Sequence, residues 1–185
     1  EIFSSIKSFK QIIAVVPRYM IEPLRKQKDK LLNKIELVAG GQERFDSVKN
    51  GLALIKDDID FAAVHDAARP LISKWDILAV LKEATQTKAA IAVEKIKDTI
   101  KLVSSKKQIL KTLDRNVLRN AQTPQIFEIK LLKKAYSKKN MKATTDDSQV
   151  IEKLKIKVST VETKFPNFKV TTKQDFVLAE KLLKR

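Results

Sequence analysis

An acid, two small residues and an arginine follow one another in Val64-His65-Asp66-Ala67-Ala68-Arg69-Pro70, directly after the apolar run Phe61-Ala62-Ala63-Val64. A buried strand ending here delivers these side chains to its carboxyl end, where ligands bind in open α/β sheets. Alanines let a ligand approach the backbone, a carboxylate can hold a metal or a hydroxyl, and a guanidinium can grip a phosphate with paired bonds. The plainer alternative is an Asp66–Arg69 ion pair or a helix cap beside the strand end. Arg69 precedes a proline, so it is expected in extended backbone and projecting outward. His65, the only histidine, reads as a packed, hydrogen-bonded residue, because a lone imidazole serves as a base only with a supporting partner.

Four other segments carry polar residues where chemistry could sit. Gly40-Gly41-Gln42-Glu43-Arg44-Phe45-Asp46-Ser47 joins a strand to a helix; glycines permit close approach there, and free helix amides suit a polar or anionic ligand. Read plainly, it is a tight turn with Asp46 or Ser47 as the cap. Asn120-Ala121-Gln122-Thr123-Pro124-Gln125-Ile126-Phe127 reads as a polar turn ahead of a helix, with Thr123 capping. Thr144-Thr145-Asp146-Asp147-Ser148 reads as a helix start, since acids favour the positive end of a helix. Lys169 lies on a short strand between Asn167 and Thr171, and an isolated lysine is ordinarily solvated.

The elements that must position these residues follow from periodicity. Short β-branched runs predict buried strands over 11–16, 35–38, 60–65 and 88–93, with two more over 157–162 and 168–171. Residues 18–33 are predicted to be helical after Pro23, and further helices over the segment that spaces Phe45, Val48, Leu52 and Ile55 and from a Ser73/Asp76 box through Thr85. Two further helices fall at 128–138 and 145–154, and a last one is capped by Thr172 with Phe176, Ala179 and Leu183 facing inward. Residues 99–103 and 108–112 flank a polar turn and predict a hairpin, about 98–115, that projects as an arm. Strand–helix alternation predicts one α/β domain over 1–185, with a doubly wound, mostly parallel, Rossmann-like sheet.

Composition removes several classes. The 185 residues are 43% hydrophobic, enough for a core, yet no run of about 18 apolar residues is present to span a membrane. Residues 1–7 lack the apolar stretch and cleavage site of a signal peptide. Without cysteine, disulfides and thiolate chemistry are excluded, which fits a cytoplasmic protein; one histidine argues against a protein-ligated zinc site. The formal charge of +16 could serve nucleic-acid binding, but the lysines run from Lys7 to Lys184 with one Trp and two Tyr for stacking. A solvated basic surface, compatible with a nucleotide, is the better reading.

The order of these pieces resembles one family. Gly40-Gly41-x-Glu43-Arg44-x-x-Ser47, His65-Asp66-Ala67-Ala68-Arg69-Pro70, Asp98-Thr99-Ile100-Lys101, Gln122-Thr123-Pro124-Gln125, Thr145-Asp146-Asp147 and Asn167-x-Lys169-x-Thr171 are similar to the motifs of 2-C-methyl-D-erythritol 4-phosphate cytidylyltransferases, over nearly the whole chain. The resemblance implies a nucleotidyltransferase that joins CTP to methylerythritol phosphate with Mg²⁺ in the non-mevalonate isoprenoid route. It implies that Gly40, Gly41 and Ser47 border the cytosine. Asp66 would hold the substrate's hydroxyls near the metal, and Arg69, Thr123, Thr145 and Lys169 would hold the sugar phosphate, with Lys169 and Asp66 catalytic. Thr99 and Arg115, at the ends of the arm, would complete the pocket of a second subunit in a homodimer.

One departure stands against it. Members of the family begin with a strand and a glycine-rich loop whose arginine and lysine grip the triphosphate, and these 185 residues have no such segment. The resemblance therefore implies an N-terminally incomplete domain that alone binds CTP poorly and catalyses little. A cytidylyltransferase for another polyol phosphate, such as ribitol 5-phosphate, is the nearest rival; Ala67-Ala68 and Thr145-Asp146-Asp147 favour methylerythritol phosphate. A non-catalytic basic binding protein is the rival from another class, expected to show salt-dependent retention on nucleic acid.

Overall fold

The computed structural model describes all residues except 28, 31, 139–143 and 185. Its strands are β1 (Ile13–Val16), β2 (Glu36–Ala39), β3 (Phe61–Val64), β4 (Ala89–Lys95), β5 (Lys101–Val103), β6 (Ile109–Thr112), β7 (Arg119–Glu128) and β8 (Ser159–Glu162). The helices are α1 (Ile21–Lys26), α2 (Arg44–Leu52), α3 (Lys74–Thr87), α4 (Ile129–Ser137), α5 (Asp147–Glu152) and α6 (Lys173–Leu183).

The core is organised by β4. Its side chains alternate across the sheet as the two-residue period requires. Ala89, Ile91 and Val93 join Phe127, Leu132 and Ile151 on one face, while Ala90 and Ala92 meet Val80 and Ala84 of α3 on the other. Both layers exclude water, as expected of an α/β sheet covered on its two faces. Ser73 accepts a hydrogen bond from the Asp76 amide at 3.0 Å, so the predicted box does start α3.

The main sheet runs β3-β7-β4-β8, and β1-β2 form a separate parallel pair. β4 and β8 are parallel, whereas β7 is antiparallel to both β3 and β4. Sequence reading made residues 120–127 a turn; they are instead the longest strand. Polar side chains and Pro124 disguised it, because proline cannot donate to a ladder. The register with β4 shifts between Ile91 and Val93, opposite Gln125 and Ala121, and that irregularity accommodates the proline.

Other expectations are also corrected. The helix expected after Pro23 within 18–33 is instead the six-residue α1, which has Pro23 in its first turn and follows a 3₁₀ turn, Arg18–Met20; residues 28 and 31 lie outside the described residues. Residues 168–171 form no strand ladder, and Val170 donates to the Ala68 carbonyl at 2.7 Å. In α6 only Ala179 is buried, while Phe176 and Leu183 are 62% and 59% exposed. The body covers only the middle of that helix, so the residues a turn away stay in solvent. The hairpin of β5 and β6 forms its own two-stranded sheet with every strand residue exposed, as an arm must.

No ladder among the described residues joins β1 to β3. Between them runs a mostly apolar cleft of about 510 Å³, lined by Val15, Val48, Leu52 and Ala63 among others. At one end it reaches Arg44, Ser47, Asp66 and Ala67. The β1-β2 pair and the four-stranded sheet thus face each other across this cleft.

Candidate active site

β3 ends at Val64, and the chain turns immediately, with the Arg69 amide donating to the Asp66 carbonyl at 2.9 Å. The turn points the Asp66 carboxylate at three cations: Lys169 Nζ at 3.2 Å, Arg44 Nη2 at 3.6 Å and Arg69 Nε at 3.7 Å. Burial pushes the Asp66 carboxyl up, but Lys169, then Arg44 and Arg69, more than offset that and hold it below its ordinary value. These pairs therefore contribute stability that is complete above the unfolded carboxylate value and is lost as pH falls through the lower folded one.

Arg69 does not project outward. Its guanidinium is tucked under the turn, where Nη1 donates to the Asn167 carbonyl at 2.8 Å, and burial lowers its pKa despite Asp66. Asn167 is itself buried and donates to Gln122 Oε1 at 3.0 Å and to the Thr123 carbonyl at 2.8 Å. This anchoring holds the segment that bears Lys169 against the middle of β7. The guanidinium bond to the Asn167 carbonyl thus turns the Arg69 side chain inward.

Arg44, the first residue of α2, was not singled out as a site residue by sequence reading. Its Nη2 lies 2.6 Å from Asp147 Oδ2, and Asp147 is fully buried and also accepts from the Tyr136 hydroxyl. Burial lowers the Arg44 pKa, but the hydrogen bond and charge of Asp147, with Asp66, raise it overall. Tyr136 stacks on Phe45 at 4.5 Å between ring centroids, and burial beside Asp147 raises its hydroxyl pKa. α5 is fixed in turn by Gln125, whose Oε1 accepts the Asp147 and Ser148 amides at 3.1 and 2.9 Å. The buried polar residues of β7 thus form the frame of the site. An arginine opening a helix after Gly-Gly, and a second acid after Asp146, were the available signals.

Gly40, Gly41 and Ser47 close the β2–α2 turn, with the Gly41 amide donating to Ser47 Oγ at 3.1 Å. A Cβ on Gly41 would lie 2.2 Å from the Asp46 Cβ and 3.1 Å from the Asp46 backbone carbon. Gly41→Ala must open this turn and is expected to cost about 1–2 kcal/mol in urea denaturation.

Thr123 is buried, with its hydroxyl 3.0 Å from both the Asp66 amide and His65 Nδ1. Thr145 is exposed and bonds to Gln149 of α5, apart from the ion pairs around Asp66. Thr99 is exposed and Arg115 donates to the Lys97 carbonyl, so both sit at the base of the arm rather than with the Asp66 cluster.

Chemically, three cations face two carboxylates around one strand end, which leaves positive charge for a phosphorylated ligand. Among the described residues no three His, Asp or Glu side chains converge on a metal position. Asp66, lining the cleft, still fits Mg²⁺, which is commonly held by one or two carboxylates together with substrate phosphates. A second cavity of about 370 Å³, beside Leu24 and Leu37, contains none of these groups.

Comparison with known proteins agrees with this arrangement. The family model for IspD, 2-C-methyl-D-erythritol 4-phosphate cytidylyltransferase, matches residues 1–185. The enzyme of that name from Endomicrobium trichonymphae is 68% identical over 184 residues, covering 100% of this chain and 83% of that protein. The crystal structure of 4-diphosphocytidyl-2C-methyl-D-erythritol synthase from Anaerococcus prevotii superposes with a TM-score of 0.86 at 30% identity, covering 98% of this chain and 85% of that one. The Thermus thermophilus cytidylyltransferase gives a TM-score of 0.83 at 28% identity over 99% and 86% of the two chains. With the strand-end carboxylate, its three cations and the frame behind them all in place, this chain belongs to the 2-C-methyl-D-erythritol 4-phosphate cytidylyltransferase family.

Proposed function

We propose that this chain transfers the cytidylyl group of CTP to 2-C-methyl-D-erythritol 4-phosphate, giving CDP-methylerythritol and pyrophosphate in isoprenoid precursor synthesis. The observation that carries this reading is the Asp66 carboxylate ringed by Lys169, Arg44 and Arg69 at the carboxyl end of β3.

A phosphate oxygen of the sugar substrate attacks the α-phosphorus of CTP in line. The bond from that phosphorus to the bridging oxygen breaks, and pyrophosphate leaves with its electron pair. No covalent enzyme intermediate is needed, so positioning and charge stabilisation supply the catalysis. Lys169, 46% exposed along its side chain, can turn from Asp66 toward the reacting phosphates. Arg69 supplies fixed positive charge for the sugar phosphate, and Asp66 accepts hydrogen bonds from its hydroxyls. Gly40, Gly41 and Ser47 border the base, and Thr145 stands at the rim of the substrate half. Mg²⁺ belongs to the same reading: Asp66 and triphosphate oxygens would hold it, and when bound it neutralises phosphate charge.

A homodimer completes the proposal. The arm exposes Leu102, Val103, Ile109 and Leu110, an apolar surface suited to a second copy, with Thr99 and Arg115 at its base to enter the neighbour's pocket. Both substrates are charged and water-soluble, which supports a cytoplasmic setting; no helix among the described residues is long and apolar enough to cross a membrane.

The test is selectivity. Chain, CTP and Mg²⁺ are incubated with methylerythritol phosphate or ribitol 5-phosphate, and nucleotide products are separated by chromatography. CDP-methylerythritol is expected to form faster by at least about tenfold, the discrimination available to a pocket that hydrogen-bonds its substrate. Equal rates of measurable product formation, or a preference for ribitol phosphate, would reject the substrate assignment.

A further inference from the structure

Two helices open on the same pattern, a hydroxyl residue followed three positions later by an aspartate, yet the two acids are used differently. At α6 the Asp175 carboxylate turns back on its own helix start, accepting the Thr171 and Thr172 amides at 3.0 and 2.9 Å and closing a capping box. At α3 the Ser73 hydroxyl caps the Asp76 amide, but the Asp76 carboxylate also reaches beyond its helix. Its Oδ2 accepts from the Ser73 hydroxyl at 2.6 Å, while Oδ1 accepts the backbone amide of Lys164 at 2.7 Å, 88 positions away. Asp76 is only 1% exposed, and burying a carboxylate is costly unless its oxygens are bonded. Helix capping alone does not require that burial, since Asp175 caps from an exposed position.

Lys164 lies near the start of residues 163–172, which join β8 to α6 and carry Asn167 and Lys169. Residues 65–73 join β3 to α3 and carry Asp66 and Arg69. Three bonds hold the 163–172 connection in place. Two of them join it to 65–73: Arg69 Nη1 donates to the Asn167 carbonyl at 2.8 Å, and the Val170 amide donates to the Ala68 carbonyl at 2.7 Å. The third is the Lys164 amide on Asp76, and it is the one that lies away from the ion pairs around Asp66. The Lys164 ammonium rests over the Trp75 ring, 5.4 Å from its centroid, so this residue is held by both main chain and side chain.

We propose that Asp76 is a positioning residue for Lys169, a role that rests on the cytidylyl-transfer reading. By fixing the Lys164 amide it sets where the 163–172 connection begins, and so holds Lys169 in reach of Asp66 and the reacting phosphates.

Amide hydrogen exchange, followed by NMR on wild type and Asp76→Ala, reads this without turnover. Exchange at Lys164 and at Val170, the neighbour of Lys169, is expected to rise at least about tenfold more than in the β4–β8 ladder. An equal rise throughout marks a merely structural residue and overturns the proposal. A rise at Lys164 alone overturns it too, because the effect then never reaches Lys169.

In turnover, Asp76→Ala is expected to lower kcat at least about tenfold with KM within about twofold, the pattern of a displaced charge-stabilising group. Asp76→Asn, which keeps an acceptor for the Lys164 amide, should recover most of the loss. Ser73→Ala removes the helix cap and leaves the Lys164 bond, so it should lower the urea midpoint and keep kcat within about twofold. If Asp76→Ala does not fold by circular dichroism, Lys164→Pro takes its place, read at Val170 and in kcat. That change deletes the donor while Asp76 and the α3 cap remain. An unchanged kcat, or an equal loss in Ser73→Ala, overturns the proposal. A wild-type chain inactive toward methylerythritol phosphate removes the functional reading, while exchange at Val170 still decides whether Asp76 holds the segment.

Discussion

Lys169→Ala is expected to lower turnover by about a hundred- to a thousandfold, the usual effect of removing one preorganised charge-stabilising donor. The folded state should scarcely notice. Lys169 is about half exposed, and its bond to Asp66 is one of three that this carboxylate makes. A solvent-screened pair of this kind contributes at most about 1 kcal/mol. The contrast is the diagnostic: a thermal melt close to wild type beside a collapse in kcat. A lysine that only balanced Asp66 would leave kcat close to wild type as well, since Arg44 and Arg69 already offset that carboxylate. Lys169→Arg should recover little, because a planar guanidinium directs its donors differently from a compact ammonium.

Arg44→Met is expected to act on stability, by about 3 kcal/mol. It removes the cation from beside Asp147, which is fully buried and is left with the Tyr136 hydroxyl as its recorded side-chain partner. Stranding a buried charge costs far more than the intact pair contributes. Asp147→Asn should cost less, because the cation it releases is one-third exposed and retains Asp66 at 3.6 Å. Tyr136→Phe keeps the stack on Phe45 and loses one hydrogen bond, about 1–2 kcal/mol. Urea denaturation of the three variants gives this order. Equal losses for Arg44→Met and Asp147→Asn would mean that the pair contributes only packing.

These two residues also mark the limits of what the sequence reveals. Lys169 and Asp66 lie 103 positions apart, and only their type and neighbouring motifs connected them in advance. The apolar elements β3, β4, α3 and the arm were legible because their periodicity is strong and their ends carry caps or turns. The site's frame was not. β7 places Gln122, Thr123 and Gln125 inside the protein, where they bond to Asn167, His65 and the start of α5, so its function erased the hydrophobic pattern that would have announced a strand. Arg69 misled for a related reason: the residue before proline was expected to point outward, but the carbonyl of Asn167, distant in sequence, holds it inward. Arg44 was quoted within a motif without a role, because Asp147 meets it only after α2 and α5 have been packed together by β7.

The account stands or falls on what the Asp66 cluster does to two phosphates. ³¹P NMR of CTP, methylerythritol phosphate and Mg²⁺ with the wild-type chain, followed beside Lys169→Ala at equal protein concentration, reads this directly, and the ratio between the two proteins removes any dependence on the absolute rate. CDP-methylerythritol and pyrophosphate should appear one for one with the wild type, and at least about a hundredfold more slowly with the variant. Pyrophosphate without CDP-methylerythritol, or equal measurable rates from the two proteins, would contradict it.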